Sequence, residues 1–244
     1  MELTYGRYLK VEELLQLQQP LSEGPEHDEM LFIIIHQVYE LWFKQILHEL
    51  EKLKSFFQEG ERGKALHTLK RIRSILKVLV SQVDVLETMT PLEFLSFRER
   101  LQSASGFQSS QFRELEFTLG LKNPKHLEHY RQGSEERNRL EKKIEEPSLW
   151  EVFLQFLSSL GNDSLKLKKD GRSSEPPDSS EDIQDLLEKI YRNHPDSALV
   201  CEMLQILMKV YRNGVTVMFR WFAGRLGQNL ERVVPAELII SREP

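Results

Sequence analysis

Apolar residues recur in steps of three and four along most of the chain. From Asp28 to Phe57 they fall at Leu31, Ile34, Ile35, Val38, Leu41, Trp42, Ile46, Leu50, Leu53 and Phe57, the stripe of one helix face. Asp28 is the expected N-cap, and Gly60 with Gly63 the stop. A second stripe, Leu66, Leu69, Ile72, Leu76, Leu79, Val83 and Leu86, predicts a helix over about Lys64 to Glu87. Thr90-Pro91-Leu92-Glu93 reads as N-cap, proline at N1 and capping-box glutamate, opening a short helix through Leu101. Ser148-Leu149-Trp150-Glu151 repeats the box, and two further helices are expected over about Glu181–Arg192 and Asp196–Ala223. Alternating strand patterns are almost absent. The pattern predicts an all-α fold of long antiparallel helices, a single domain over residues 1–244. Residues 161–180 are polar and rich in Pro, Gly and Ser, and are expected to form a mobile loop. Ser103–Glu116 reads as a polar loop beside the apolar helices.

Composition narrows the function classes. Lys+Arg 33 against Asp+Glu 38 gives a net charge of −5, which gives no support for nucleic acid as a partner. The single Cys201 excludes an internal disulfide framework and a cysteine-rich metal site, and fits a reducing cytoplasm. The N-terminus lacks a basic segment followed by an apolar block, so no signal peptide is expected. The apolar runs are far shorter than about 18 residues, so no membrane span is expected.

One titratable residue interrupts the most apolar run. In "MLFIIIHQVYELWFKQ", His36 follows Phe32-Ile33-Ile34-Ile35 directly. Such a histidine is either a core residue with a satisfied hydrogen bond or a base aimed into a pocket. Arg98 has the same two readings, a surface ion pair or a planar clamp for a carboxylate. Phe94 lies four residues before Arg98 and shares its helix face, so the two can flank one amino acid. The histidines at 126 and 129 and the run Glu26-His27-Asp28-Glu29 have metal-like spacing but no converging second set of ligands.

Four stretches, "LTYGRYLKVEELLQLQQPLSE", "HDEMLFIIIHQVYELWFKQILHELE", "VLETMTPLEFLSFRERL" and "SASGFQSSQFRELE", closely resemble tryptophan 2,3-dioxygenases in order and spacing. The resemblance is dense over about residues 3–130 and weaker over 195–228. It implies an all-helical homo-oligomer, a tetramer or dimer, with a haem pocket in which dioxygen adds across the indole C2–C3 bond of L-tryptophan. By the same resemblance His36 is the catalytic histidine that binds the indole N–H, and Phe32 packs on the substrate ring. Phe94 and Phe97 shape the pocket, and Arg98 clamps the substrate carboxylate. Tyr5 and Tyr8 match tyrosines that reach into a neighbouring subunit, and Ser105 with Gly106 matches a loop at the haem edge. The position matching the family's proximal iron ligand is Gly214, and no histidine follows His194. The matching glycine-rich loop reads Gly227-Gln228-Asn229-Leu230, without the family's threonine. Tyr211, Met218 and Cys201 are other haem-ligand types nearby, each also readable as a core residue, and His194 reads as a turn residue. Three outcomes follow: a haem oxygenase with an unusual ligand, a haem-free protein that binds a tryptophan-like ligand and does other chemistry, including with another metal, or a noncatalytic binding or assembly protein.

Overall fold

The computed structural model describes residues 3–24, 26–101, 108–161 and 181–226, with side chains only to Gly214 in the last helix. The expected loop at 161–180, Ser105, Gly106 and the 227–230 stretch fall outside the described residues, Gly161 excepted as the last residue of a helix. The helices are α1 (Tyr5–Leu9), α2 (Val11–Leu14), α3 (His27–Gln58), α4 (Arg62–Leu86), α5 (Pro91–Arg98), α6 (Ser110–Leu119), α7 (Glu135–Glu145), α8 (Leu149–Gly161), α9 (Glu181–Asn193) and α10 (Pro195–Leu226). Short 3-10 turns cover Glu99–Leu101 and Pro124–His129. No strand occurs among the described residues, so the all-α expectation holds.

The α3–α4 hairpin is the spine. Gly60, at φ 71°, closes α3 by sending the Glu61 amide back to the Phe56 carbonyl at 2.8 Å, a turn that a side chain would strain. Gly63 does not stop anything; it lies in the first turn of α4. The start of α3 also differs from expectation. The helix begins at His27, so Asp28 is inside its first turn, where its charge favours the N-terminal dipole.

Ile46, Leu50 and Leu53 of α3 meet Leu69, Ile72 and Leu76 of α4 in one buried cluster that continues into Phe153 and Phe156 of α8 and Leu204 and Leu207 of α10. The Tyr39 hydroxyl donates to the Leu79 carbonyl at 2.8 Å, which fixes the register of the two long helices. Helix α10 runs along α4, and α6 and α8 pack on α3.

Both predicted capping boxes form. The Thr90 hydroxyl accepts from the Glu93 amide while Glu93 accepts from Thr90, and Ser148 with Glu151 does the same. The expected helix through Leu101 is α5 as far as Arg98 and a 3-10 turn after it.

The polar-loop reading of Ser103–Glu116 needs correction. From Ser110 the chain is helical, with Phe112, Leu115, Arg113 and Glu116 all buried. Arg113 and Glu116 form a 2.6 Å ion pair, and that mutual pairing lets two charges enter the core at a place that reads as loop from polarity alone.

Candidate functional site

The site grows from one end of α3. Phe32 and His36 are one turn apart, so their side chains share a face, and their ring centroids stand 4.1 Å apart. Helix α5 lies across this end of α3 and supplies Phe94 and Phe97, both buried. Phe32 stands 5.8 Å from Phe94 and 5.6 Å from Phe97, and the last two meet edge-to-face at 5.5 Å. Phe32 therefore links the imidazole to a cluster of three phenylalanines. The capping box at Thr90 sets where α5 starts, and so which of its residues reach α3.

His36 has a defined chemical state. Its Nδ1 is 2.7 Å from the Phe32 carbonyl oxygen. A carbonyl only accepts, so Nδ1 carries the proton and the neutral ring keeps its lone pair on Nε2. Burial pushes the imidazole pKa below its ordinary value, against the opposing pull of that hydrogen bond and of the Glu40 charge. His36 at neutral pH is thus an acceptor at Nε2.

Arg98 occupies the last turn of α5 and is half-buried, directly after Phe97. That places a guanidinium-bearing turn against the aromatic box. Glu40, one turn past His36, receives Gln111 Nε2 at 2.7 Å, which pins the start of α6 to the same end of α3. The structure thus brings together Phe32, His36, Phe94, Phe97 and the turn bearing Arg98. It does not bring in Tyr5 and Tyr8, which stand 78% and 72% exposed on α1, a helix with no buried residue.

Sequence comparison places the chain in a family. A sequence profile described as tryptophan 2,3-dioxygenase matches residues 1–169. A tryptophan 2,3-dioxygenase of Herpetosiphon aurantiacus is 51% identical over 203 residues, 83% of this chain and 77% of the relative. One of Anaeromyxobacter sp. is 49% identical over 201 residues, 82% of this chain and 74% of the relative. The chain belongs to the tryptophan 2,3-dioxygenase family. The family profile covers α1 to α8 and ends before α9 and α10.

Family membership implies haem, and the fit of this chain to haem can be tested at Gly214. A Cβ built on Gly214 would stand 2.7 Å from Val80 Cγ2 of α4. Valine is β-branched and stiff, so it cannot swing a long arm out of the way. A side chain at 214 therefore requires Val80 or the helix to shift. Gly214, matched to the family's iron ligand by resemblance alone, offers no ligand atom and packs tightly against α4. The neighbouring alternatives fit no better. Cys201 is buried with its thiol pushed up to about 11 by desolvation, far from the thiolate that ligates iron. Tyr211 is buried with its phenol raised well above its ordinary value, again by burial first. Its hydroxyl has no hydrogen-bond partner. The Met218 side chain lies outside the described residues. Among the described residues no group of three or more His, Cys, Asp or Glu gathers as a metal site. The rings of His126 and His129 are 6.4 Å apart in a 3-10 turn, and His194 donates its amide to Ile190 at the junction of α9 and α10. Among the described residues, no helix is long and apolar enough to cross a membrane.

Two anchors beside the box were not legible in the sequence. Glu29 is 1% exposed and accepts from the Leu21 and Ser22 amides. Gln37 donates to the Leu17 carbonyl at 3.0 Å. Their only signal in the sequence is the spacing, three residues before Phe32 and one after His36.

Proposed function

We propose that this chain is an oxygenase acting on L-tryptophan, with the indole ring placed against His36 and Phe32 where α3 meets α5. The observation that carries the reading is the state of His36, neutral with its lone pair on Nε2, in an aromatic enclosure. Flat rings and a single acceptor suit a flat ring with a single N–H, which is indole. Arg98 offers a planar fork for the substrate carboxylate. Phe32 orients the ring and excludes water, and His36 positions the indole nitrogen and takes up its hydrogen bond. The named activity of the relatives is the second support. Haem is the family's cofactor, and the closed packing at Gly214 means no step is assigned to it here.

Tyr5 and Tyr8 belong to the same proposal. Leu3, Tyr5, Tyr8, Leu15 and Leu17 of the N-terminal arm are all more than half exposed, an apolar surface that suits docking on a second copy. A homo-oligomer in which each arm closes a neighbour's pocket follows.

The test is a ligand pair. L-tryptophan and 1-methyl-L-tryptophan differ at the nitrogen that meets Nε2. The methylated ligand should bind about 10-fold more weakly or worse, since it lacks the N–H that Nε2 would accept. His36→Leu should abolish the difference. Equal binding of both ligands by the wild-type chain would remove the assigned role of His36. Oxygenation is read separately, by mass spectrometry of the product formed under 18O2.

A further inference from the structure

Residues 17–22 form an extended segment between α2 and α3 that contains Pro20 and runs along α3. Its leucines do not hold it, since Leu17 is 62% and Leu21 65% exposed. What holds it is polar. At one end Gln37 Nε2 donates to the Leu17 carbonyl, and Gln37 Oε1 accepts from Gln18 Nε2 at 2.5 Å. At the other end the buried Glu29 carboxylate accepts from the Leu21 amide at 2.7 Å and from the Ser22 amide at 3.1 Å. The lengths agree. Eight residues of helix from Glu29 to Gln37 span about 12 Å, and four extended residues from Leu17 to Leu21 span about 13 Å. The segment therefore lies antiparallel to α3 and is pinned at both ends.

The direction of that face matters. At about 100° per residue, Gln37 stands about 140° around α3 from Phe32, with His36 and Glu29 between them. Phe32 packs on α5 and Gln37 holds the segment, so the two flank the His36 row from opposite sides. Arg100, two residues past Arg98, stands near enough to Glu29 that its charge favours the carboxylate. The clamp thus adjoins the turn that carries Arg98.

We propose that Glu29 and Gln37 are positioning residues that hold segment 17–22 as the wall of the tryptophan pocket opposite α5. This rests on the substrate reading above, and neither side chain is asked to touch the reacting atoms. The preformed wall lowers the ordering cost of binding. Removing either anchor frees the wall in the unliganded protein, so substrate affinity falls while the bound complex, once formed, turns over as before.

The experiment uses the full chain with Glu29→Gln, Gln37→Leu and the double variant. Gln37 is not a core residue, so its variant keeps the test alive if Glu29→Gln folds poorly. Amide exchange of Leu21 and Ser22 should accelerate about 10-fold or more in Glu29→Gln. The tryptophan Kd and KM should each rise about 10-fold in either variant, with kcat within about twofold. The double variant should lose no more than about the worse single one, since both anchors serve one wall. Faster exchange with an unchanged tryptophan Kd overturns the wall, as does a loss of kcat at unchanged KM. Failure of the wild-type chain to bind tryptophan at all overturns the substrate reading together with the wall, and is told apart by that fact.

Discussion

Two regions near the open end of the α3–α4 hairpin are built on opposite terms. At the α3–α5 junction polar groups border an apolar cluster: the imidazole of His36 lies against Phe32, which meets Phe94 and Phe97, and Arg98 is on the adjoining turn. At the α4–α10 seam a Cβ on Gly214 would stand 2.7 Å from the Val80 side chain, so any side chain there forces a shift. The first arrangement leaves chemistry available. The second consumes the place where, by resemblance, a metal ligand would stand. The family profile covers the first region and stops short of α10. The aromatic cluster and position 214 sit on different helix pairs, α3–α5 and α4–α10.

The largest effect should come from the charges beside the seam. Arg113 and Glu116 are buried together at 2.6 Å, with the Tyr211 phenol of α10 in their field. Arg113→Met strands the Glu116 carboxylate in the core and should cost about 3–5 kcal/mol in denaturant unfolding. A loss below about 1 kcal/mol would mean that the pair is hydrated, and that the seam is wetter than its packing shows.

Next comes the other region. Arg98→Ala should weaken tryptophan binding by about 2–3 kcal/mol, the loss of a charge-assisted clamp. The thermal midpoint should barely move, since Arg98 is only half-buried. Calorimetric titration reads the first and a melting curve the second. An unchanged affinity would reduce Arg98 to a surface charge and leave the aromatic box without its amino-acid anchor.

The seam itself predicts a smaller change whose sign is informative. Gly214→Ala gains about 1 kcal/mol of helix propensity, but overpacking against Val80 should cost about 1–3 kcal/mol. A net destabilisation near 1 kcal/mol is expected, and pairing it with Val80→Ala should recover part of the loss. A stabilised single variant would show that the helices part readily, and would reopen position 214 to a ligand such as an introduced histidine.

The long helices and both capping boxes were legible because period and cap chemistry are local properties. Phe32, His36, Phe94 and Arg98 were legible for a different reason: their motifs resemble a family, and the structure then brought Phe32, His36 and Phe94 together with the turn bearing Arg98. Three things were not legible. The burial of Arg113 and Glu116 depends on their pairing three residues apart inside a core that polarity alone does not announce. The Glu29 clamp joins side chain to backbone, and backbone acceptors and donors carry no letter in the sequence. The closure at Gly214 depends on the distance between two helices far apart in the chain.

The smallest effect is the pH dependence at His36. Its folded pKa lies below the 6.5 of the free side chain, because burial disfavours the charged ring. Below that value the unfolded chain takes up a proton that the folded chain resists, so stability falls as pH falls through 6.5 towards the folded pKa, and is constant above it. His36→Gln removes the titration, so the wild-type-minus-variant difference in unfolding free energy should shrink between pH 7 and pH 5. Tryptophan binding should decline lower in pH than stability begins to, as the folded ring itself takes up a proton and Nε2 becomes a donor that can no longer accept the indole N–H. The two readouts separate burial from recognition. A stability slope with no binding loss at lower pH would take His36 out of the substrate's reach, whereas a binding loss that follows the stability slope ties the part-buried imidazole to the ligand it was proposed to meet.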